Sequence, residues 1–346
     1  MQMDFQTQSI SGLELRTASV RAGRPTVLLT NAFPQSIRCW ESLWGRLAER
    51  FDLLAVDLPG FGLSSGSGSI MRPSAQAEVL VELMDANGID RAFVVGPDVG
   101  VPVALWLAST HPDRVHGINI FDGPGFWPPD FDPVLRAATR SRLVRWLGTR
   151  PPMRRSLMAQ NLDVAVARGY HHFAPSEAAA EEYRSICFDP VKHRNAFDYL
   201  GSYREELSLL QERLSSVMAP VLITWGAKDA FVLPSNAERL HAVLPNSDLE
   251  QSEYRSGCPI GVPATEAVGV SAQIQEASRE VFHAWVAAYR DALVREGWST
   301  GEATGFASVI VTAYEGSLTT ARALRSTAPI RDAKAHLIAQ VAQRST

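Results

Sequence analysis

The sequence predicts an α/β architecture over most of its length, built on a mostly parallel sheet, and an all-α module at its end. Three observations carry that expectation. From residue 1 to about 255, short apolar runs alternate with helical patterns, as the strands and crossover helices of a parallel sheet do. Between Gly123 and Ser215 the alternation stops, and a helical pattern rich in Arg, Pro and aromatic residues takes over. Beyond about Cys258 no strand pattern returns.

Element by element, TVLLT (Thr26 to Thr30) predicts a strand, and Trp40 to Phe51 an amphipathic helix with Trp40, Leu43, Trp44 and Leu47 on one face. LLAVD (Leu53 to Asp57) predicts the next strand, ending in the turn DLPGFGLSSGSG. A helix over Met71 to Ala86, a strand over Ala92 to Gly96, a helix over Val99 to Thr110 and a strand over Val115 to Phe121 follow. After the helical interruption, VLITWG resumes the strands, Ser235 to Val243 reads as a helix and SDLEQSEY as a last strand. A helical insertion at that point is expected to cap the carboxyl ends of the strands, where such sheets place ligands. The expected organisation is a core of 1–122 and 216–255, a helical cap of 123–215 and a helical domain of 256–346. In that last domain Ala264 to Glu296, Thr300 to Arg325 and Ile330 to Gln343 have helical spacing.

A net charge of −4 argues against a nucleic-acid backbone binder, which normally carries a basic excess. There is no long uncharged apolar run to cross a membrane, and MQMDFQTQSISGLELR lacks the basic-then-apolar order of a signal peptide. The three widely spaced cysteines, Cys39, Cys187 and Cys258, fit a reducing compartment. A cytoplasmic protein with no cofactor and no metal is expected.

The stretch FVVGPDVGVPVALWLAST (Phe93 to Thr110) places Asp98 between Gly96 and Gly100, where a strand pattern changes into a helical one. Such a turn holds a nucleophile in strained backbone geometry, and its glycines allow close approach. The following backbone N–H then points at the reacting centre. Read alone, Asp98 is equally a helix cap.

With three further motifs in order, the chain resembles the α/β-hydrolase fold, in the aspartate-nucleophile branch that includes epoxide hydrolases and haloalkane dehalogenases. The motifs are Asn31-Ala32-Phe33-Pro34, Asp57-Leu58-Pro59-Gly60-Phe61-Gly62 and Trp225-Gly226-Ala227-Lys228-Asp229, and the resemblance covers about residues 10–250. It implies that Asp98 attacks an electrophilic carbon to form an alkyl ester. The N–H groups of Phe33 and Val99 would form the oxyanion hole, and Asp229 would orient a catalytic histidine. Asp122 is the alternative acid or a strand-end turn residue. Tyr203 resembles a cap tyrosine that protonates an epoxide oxygen, or simply packs the cap, and Asn31 is a candidate to line the substrate site. Two departures stand out: Asn31-Ala32 replaces the family's His-Gly, and Val99 replaces the Trp common after the nucleophile in dehalogenases, which lowers the rank of haloalkane dehalogenation.

The histidine of the family follows the last strand, and that register reaches Ser256-Gly257-Cys258-Pro259, with a cysteine in its place. None of the eight histidines has the expected context, and His283 is the one that follows the join and could fold back. Gly257-Cys258-Pro259-Ile260-Gly261, Phe282-His283-Ala284-Trp285, Tyr314-Glu315-Gly316-Ser317, Ala321-Arg322-Ala323 and Pro329-Ile330 resemble the C-terminal ligand-sensing and dimerisation domain of TetR-like regulators over about 253–346. That resemblance implies a homodimer through 300–343. No helix-turn-helix precedes the segment, so DNA binding does not transfer. Two functions are therefore expected to compete: a hydrolase of a small apolar electrophile impaired by loss of its base, and a non-catalytic or single-turnover ligand-binding homodimer.

Overall fold

The apolar runs of the first unit line up side by side. β3 (Thr26–Thr30) lies parallel to both β4 (Asp52–Val56) and β5 (Ala92–Pro97); β5 pairs with β6 (Val115–Phe121), and β6 with β7 (Val221–Trp225), all in parallel. β8 (Ser247–Gln251) ends the sheet. At the other edge β1 (Phe5–Ile10) and β2 (Leu13–Val20) form an antiparallel hairpin through Ser11 and Gly12, both with positive φ, and β2 runs antiparallel to β4. The order is β1-β2-β4-β3-β5-β6-β7-β8. This computed structural model describes residues 2–150, 175–226, 229–251, 272–324 and 326–344. The chain divides into two units, Met1–Glu250 and Gln251–Thr346.

The period of two in a strand sorts the core into two layers. Leu28, Leu54, Val56 and Val94 face α2 (Pro73–Ala86) and α3 (Gly100–Thr110), while Val27, Leu29, Leu53 and Ala55 face α1 (Glu41–Ala48) on the opposite side. β4 is buried at every position, as a central strand covered on both faces should be. The helix expected over Trp40 to Phe51 needs one correction. Trp40 belongs to a preceding 3-10 turn, Ile37–Trp40, which changes the phase of the face. Trp40, Trp44 and Leu47 point inward, whereas Leu43 is 42% exposed.

Between β6 and β7, where the cap is expected, the described residues form the helices α4 (Pro133–Arg140), α5 (Arg142–Gly148), α6 (Glu177–Phe188) and α7 (Pro190–Gln211). Their starts are set locally: Asp132, Ser141, Ser176 and Asp189 each accept hydrogen bonds from first-turn amides, and Pro133 and Pro190 occupy first helical positions where no N–H is missed. Glu182 ties α6 to the sheet edge. Its carboxylate accepts from Arg16 at 2.5 Å, from Arg38 at 2.7 Å and from Ser36, while both guanidinium groups lie over the Phe5 ring. After β7, α8 (Ser235–Val243) returns the chain to β8.

The described residues of the second unit form α9 (Ala272–Arg295), α10 (Thr300–Leu324) and α11 (Ala328–Arg344). Gly297, at φ +90°, ends α9: the Trp298 N–H bonds back to Leu293 at 3.1 Å, the pattern of a Schellman stop. Ser299 then starts α10, its hydroxyl accepting from the Glu302 N–H at 3.4 Å. A small core of Leu293, Ala303 and Ala307 is surrounded by Val286, Trp298, Phe306, Ile310 and Val341. No helix among the described residues is long and apolar enough to cross a membrane.

Candidate active site

β5 ends at Pro97 and α3 begins at Gly100, so Asp98 and Val99 make the whole turn. Asp98 takes φ +46°, a left-handed conformation that costs on the order of 1–3 kcal/mol for a residue other than glycine. The turn is held from both sides: the Asp98 N–H donates to the Phe121 carbonyl at 3.0 Å, and its own carbonyl accepts from the Val101 N–H at 3.1 Å. The flanking glycines are needed for space. A Cβ on Gly96 would stand 2.4 Å from the Gly100 carbonyl oxygen, and one on Gly100 would stand 2.2 Å from the Thr30 hydroxyl. Gly123, not singled out in the sequence, is equally constrained, since a Cβ there would lie 2.1 Å from the Asp98 carbonyl oxygen.

The Asp98 carboxylate accepts from the Phe33 N–H at 2.9 Å, and the Val99 N–H bonds to it as well. Burial is the main influence on its acidity and, with the Asp229 and Asp122 charges, pushes the carboxyl up to about 7 against the pull of those two amides. The two candidate acids sit beyond the ends of neighbouring strands. Asp122, at φ +55°, follows β6 and accepts from the Gly226 N–H at 3.0 Å; burial pushes it up to about 6, with the nearby Asp229 adding to the effect. Asp229 follows β7, and one of its oxygens accepts from the Phe231 and Val232 N–H groups at 2.8 and 3.1 Å. Burial raises it too. The turn role of Asp122 and its place beside Asp98 are thus compatible.

Tyr203 is buried on α7, with Phe131 6.3 Å and Tyr199 5.3 Å away between ring centroids. Burial and the Asp98 charge push its phenol well up, so it stays protonated. Tyr199, one turn earlier, escaped the sequence reading. Its ring meets Phe61 edge-on at 5.1 Å and its hydroxyl donates to the Val99 carbonyl at 2.8 Å. The signal was present as a second tyrosine at i−4 on the same helix face.

Asn31 has a structural part beside the one expected of it. It is fully buried, its amide donates to the carbonyls of Ala32 at 2.9 Å and Gln35 at 3.1 Å, and its oxygen accepts from the Leu58 N–H at 2.7 Å. With its polar atoms engaged by backbone, Asn31 shapes the loop that presents Phe33. Asp57 acts similarly, accepting from Ile37 at 2.7 Å and Leu63 at 2.8 Å.

Among the described residues, no imidazole is one of the main groups acting on Asp98. His111 pairs with Glu78 at 2.9 Å, His116 lies against Phe93, His193 meets the Gly148 carbonyl at 3.0 Å and His241 meets Ser247 at 2.9 Å. His283 is an exposed residue of α9 in the second unit, and His336 contacts Gln340 on α11. His171, His172 and Cys258 lie outside the described residues.

Comparison with known proteins agrees with this geometry at the level of fold. The family model "alpha/beta hydrolase fold" matches residues 25–254, and that for the C-terminal domain of LmrA/YxaF-like transcriptional regulators matches 234–336. Haloalkane dehalogenase 2 of Mycobacterium tuberculosis is 28% identical over 231 residues, 64% of this chain and 78% of that protein. The putative carbamate hydrolase RutD of a Caulobacter species is 28% identical over 254 residues, 70% of this chain and 87% of its own. Of solved structures, Cfl2 of Burkholderia cenocepacia superposes with a TM-score of 0.61 at 22% identity, covering 72% of this chain and 88% of that one. The epoxide hydrolase CorEH gives 0.58 at 22%, covering 72% and 90%. At such identities the two structures share the fold alone. The chain belongs to the α/β-hydrolase fold family, with a TetR-type regulator C-terminal domain following the hydrolase domain.

Proposed function

We propose that the first unit is a hydrolase with Asp98 as nucleophile, acting on a small apolar electrophile, an epoxide foremost, and that it releases its covalent intermediate slowly. The observation that carries this reading is the Asp98 carboxylate on its strained turn, receiving the Phe33 N–H, with the protonated Tyr203 close enough for the Asp98 charge to act on it. One carboxylate oxygen would attack an oxirane carbon and form a C–O bond as the ring C–O bond breaks. The ring oxygen would take the Tyr203 proton, leaving a hydroxyalkyl ester on Asp98 and a phenolate that regains its proton from solvent. The oxygen held by Phe33 would become the ester carbonyl, so that amide, with the Val99 N–H as second donor, would face the oxyanion formed when water attacks. That second step needs a base, and the histidines described in the first unit are engaged elsewhere. Losing the base from such a unit suppresses turnover while leaving binding and the oxyanion hole.

Intact-mass spectrometry with styrene oxide tests both halves. One adduct of the full epoxide mass on Asp98 is expected to form quickly, with diol appearing only slowly and without a burst as water cleaves the ester. Neither adduct nor diol would remove the nucleophile, and sustained fast turnover would remove the impairment.

The second unit is proposed to pair with a second copy through 300–343. In support, Val309, Tyr314, Leu324 and Ile338 leave apolar side chains exposed on α10 and α11. Sedimentation at micromolar concentration should give a dimer, and a clean monomer would exclude it. Free Cys39 and Cys187 support a reducing, cytoplasmic setting.

A further inference from the structure

One face of α7 reaches several pieces of core backbone in succession. Lys192 donates to the carbonyls of Phe61 at 3.5 Å and of Ser64; Asn195 donates to those of Gly60 and Gly66, each at 2.9 Å. Tyr199 donates to the Val99 carbonyl at 2.8 Å, and Glu206 accepts from the Ser74 N–H at 3.0 Å. These positions are three, four and seven residues apart, so a single stripe of the helix makes all the contacts. Of these four, Tyr199 is the one that reaches the turn carrying Asp98.

We propose that Tyr199 is a positioning residue for Asp98: by donating to the Val99 carbonyl, its hydroxyl holds the strained turn in the arrangement that aims the Val99 N–H at the carboxylate. A residue with a Cβ at φ +46° keeps that conformation only where its surroundings over-determine it. Phe121 and Val101 bind the peptide groups of Asp98 itself, and Tyr199 binds the next one along. The peptide planes on both sides of Val99 are then fixed, and its N–H has one direction left. Val99 has no polar side-chain atom to do this for itself. Tyr199 is fully buried, so without its hydroxyl the Val99 carbonyl gains no replacement from bulk water and the turn loses one of its restraints. The ring packs between Phe61 and Tyr203, and a phenylalanine would preserve that packing.

The inference rests on the proposed nucleophile, and the test separates the two. In the full chain and in Tyr199→Phe, the titration of Asp98 is followed by carbon NMR of labelled carboxyl groups without substrate, and adduct formation with styrene oxide is timed by mass. Apart from Tyr199 itself, whose phenol is pushed well up and stays protonated, the titrating neighbours are the same in both proteins: Asp229 and Asp122 act on Asp98, and Tyr203, Asp98 and Glu206 act on Tyr199. In a folded Tyr199→Phe protein the Asp98 midpoint should move above its starting value of about 7, because a loosened Val99 N–H favours the carboxylate less. Adduct formation should slow by ~10- to 100-fold, the scale of a misplaced reacting group. A second variant carries 3-fluorotyrosine at position 199; its stronger O–H donor should shift the midpoint downward, and it covers a Tyr199→Phe protein that fails to fold. A midpoint unmoved in whichever variants fold overturns the role of Tyr199. If the unmodified chain forms no adduct, the nucleophile reading fails by itself, and the titration still decides whether Tyr199 positions Asp98.

Discussion

The two units of this chain achieve burial in different ways. In the first, a sheet covered on both faces encloses large side chains completely: Trp44, Trp225, Tyr199 and Tyr203 are each no more than 1% exposed. In the second, the most deeply buried of the described residues are alanines, Ala303, Ala307 and Ala321, while Val309, Tyr314, Leu324 and Ile338 remain outside. Alanines let helices approach closely but remove little apolar area from water, at roughly 25 cal/mol per Å². The first unit therefore has the means to hold strained and charged groups, such as Asp98 and Asp57, and the second has an apolar surface left to cover. Strain and displaced acidities belong where the core is thick enough to enforce them.

The largest expected effect is on chemistry in the first unit. Asp98→Asn should abolish adduct formation, by ~10³-fold or more, since no carboxylate remains to attack. Asparagine tolerates the left-handed turn, so circular dichroism should be unchanged. Next comes the contrast in packing. Trp44→Ala should destabilise the first unit by about 3–5 kcal/mol, and Leu293→Ala the second by only about 2 kcal/mol, because a thin helical core can partly collapse onto the gap. Two separate calorimetric transitions, each moved by its own variant, are the expected readout; one shared transition would erase the contrast.

Adduct formation should rise about tenfold per pH unit as pH approaches 7 and level off above it, since the carboxylate form of Asp98 reacts. The sign for stability is the opposite. An acid raised from 3.8 to about 7 on folding binds its proton more tightly in the folded chain, so stability is lost as pH rises from about 4 to about 7. Asp98→Asn should therefore gain stability over the parent above pH 7 and not below pH 4, which paired denaturant titrations will show. The smallest effect is expected at the sheet edge. Glu182→Gln should cost the first unit about 1–2 kcal/mol, discounted from the fully buried case because its partner Arg38 is partly solvated. Glu182 is held below the usual carboxylate range, by Arg16, Ser36 and Arg38 against the cost of burial, so its contribution disappears as pH falls through that lowered value. A difference that persists at the acid end would assign the loss to packing instead of charge.

Much of the sheet was legible. Thr26–Thr30 and Val115–Phe121 form where their apolar runs indicate, and Ser235–Val243 coils where its spacing does. The N-terminal hairpin was not. β1 is largely solvent-facing and polar, and β2 buries Arg16 and Thr17, so neither shows the apolar alternation of a half-buried strand. Leu43 was misassigned because a 3-10 turn shifts the phase of the helix after it, a change that composition does not signal. At the site, Asp98 and its flanking glycines were visible, whereas Gly123 and Tyr199 were not.

What the sequence by itself determined is local: where apolar spacing changes from two to about three and a half, where Ser, Asp and Pro start helices, and which residue occupies the bend after Gly96-Pro97. Neighbouring residues set those features through backbone preference and periodicity. What only the tertiary structure decided is which groups meet. The Phe33 N–H reaches Asp98 across 65 positions, Tyr199 reaches Val99 across 100 and Gly226 reaches Asp122 across 104. The lowered acidities of Asp98 and Asp122 arise from enclosure by those distant segments, because burial and the placement of neighbouring charge are properties of the assembled fold.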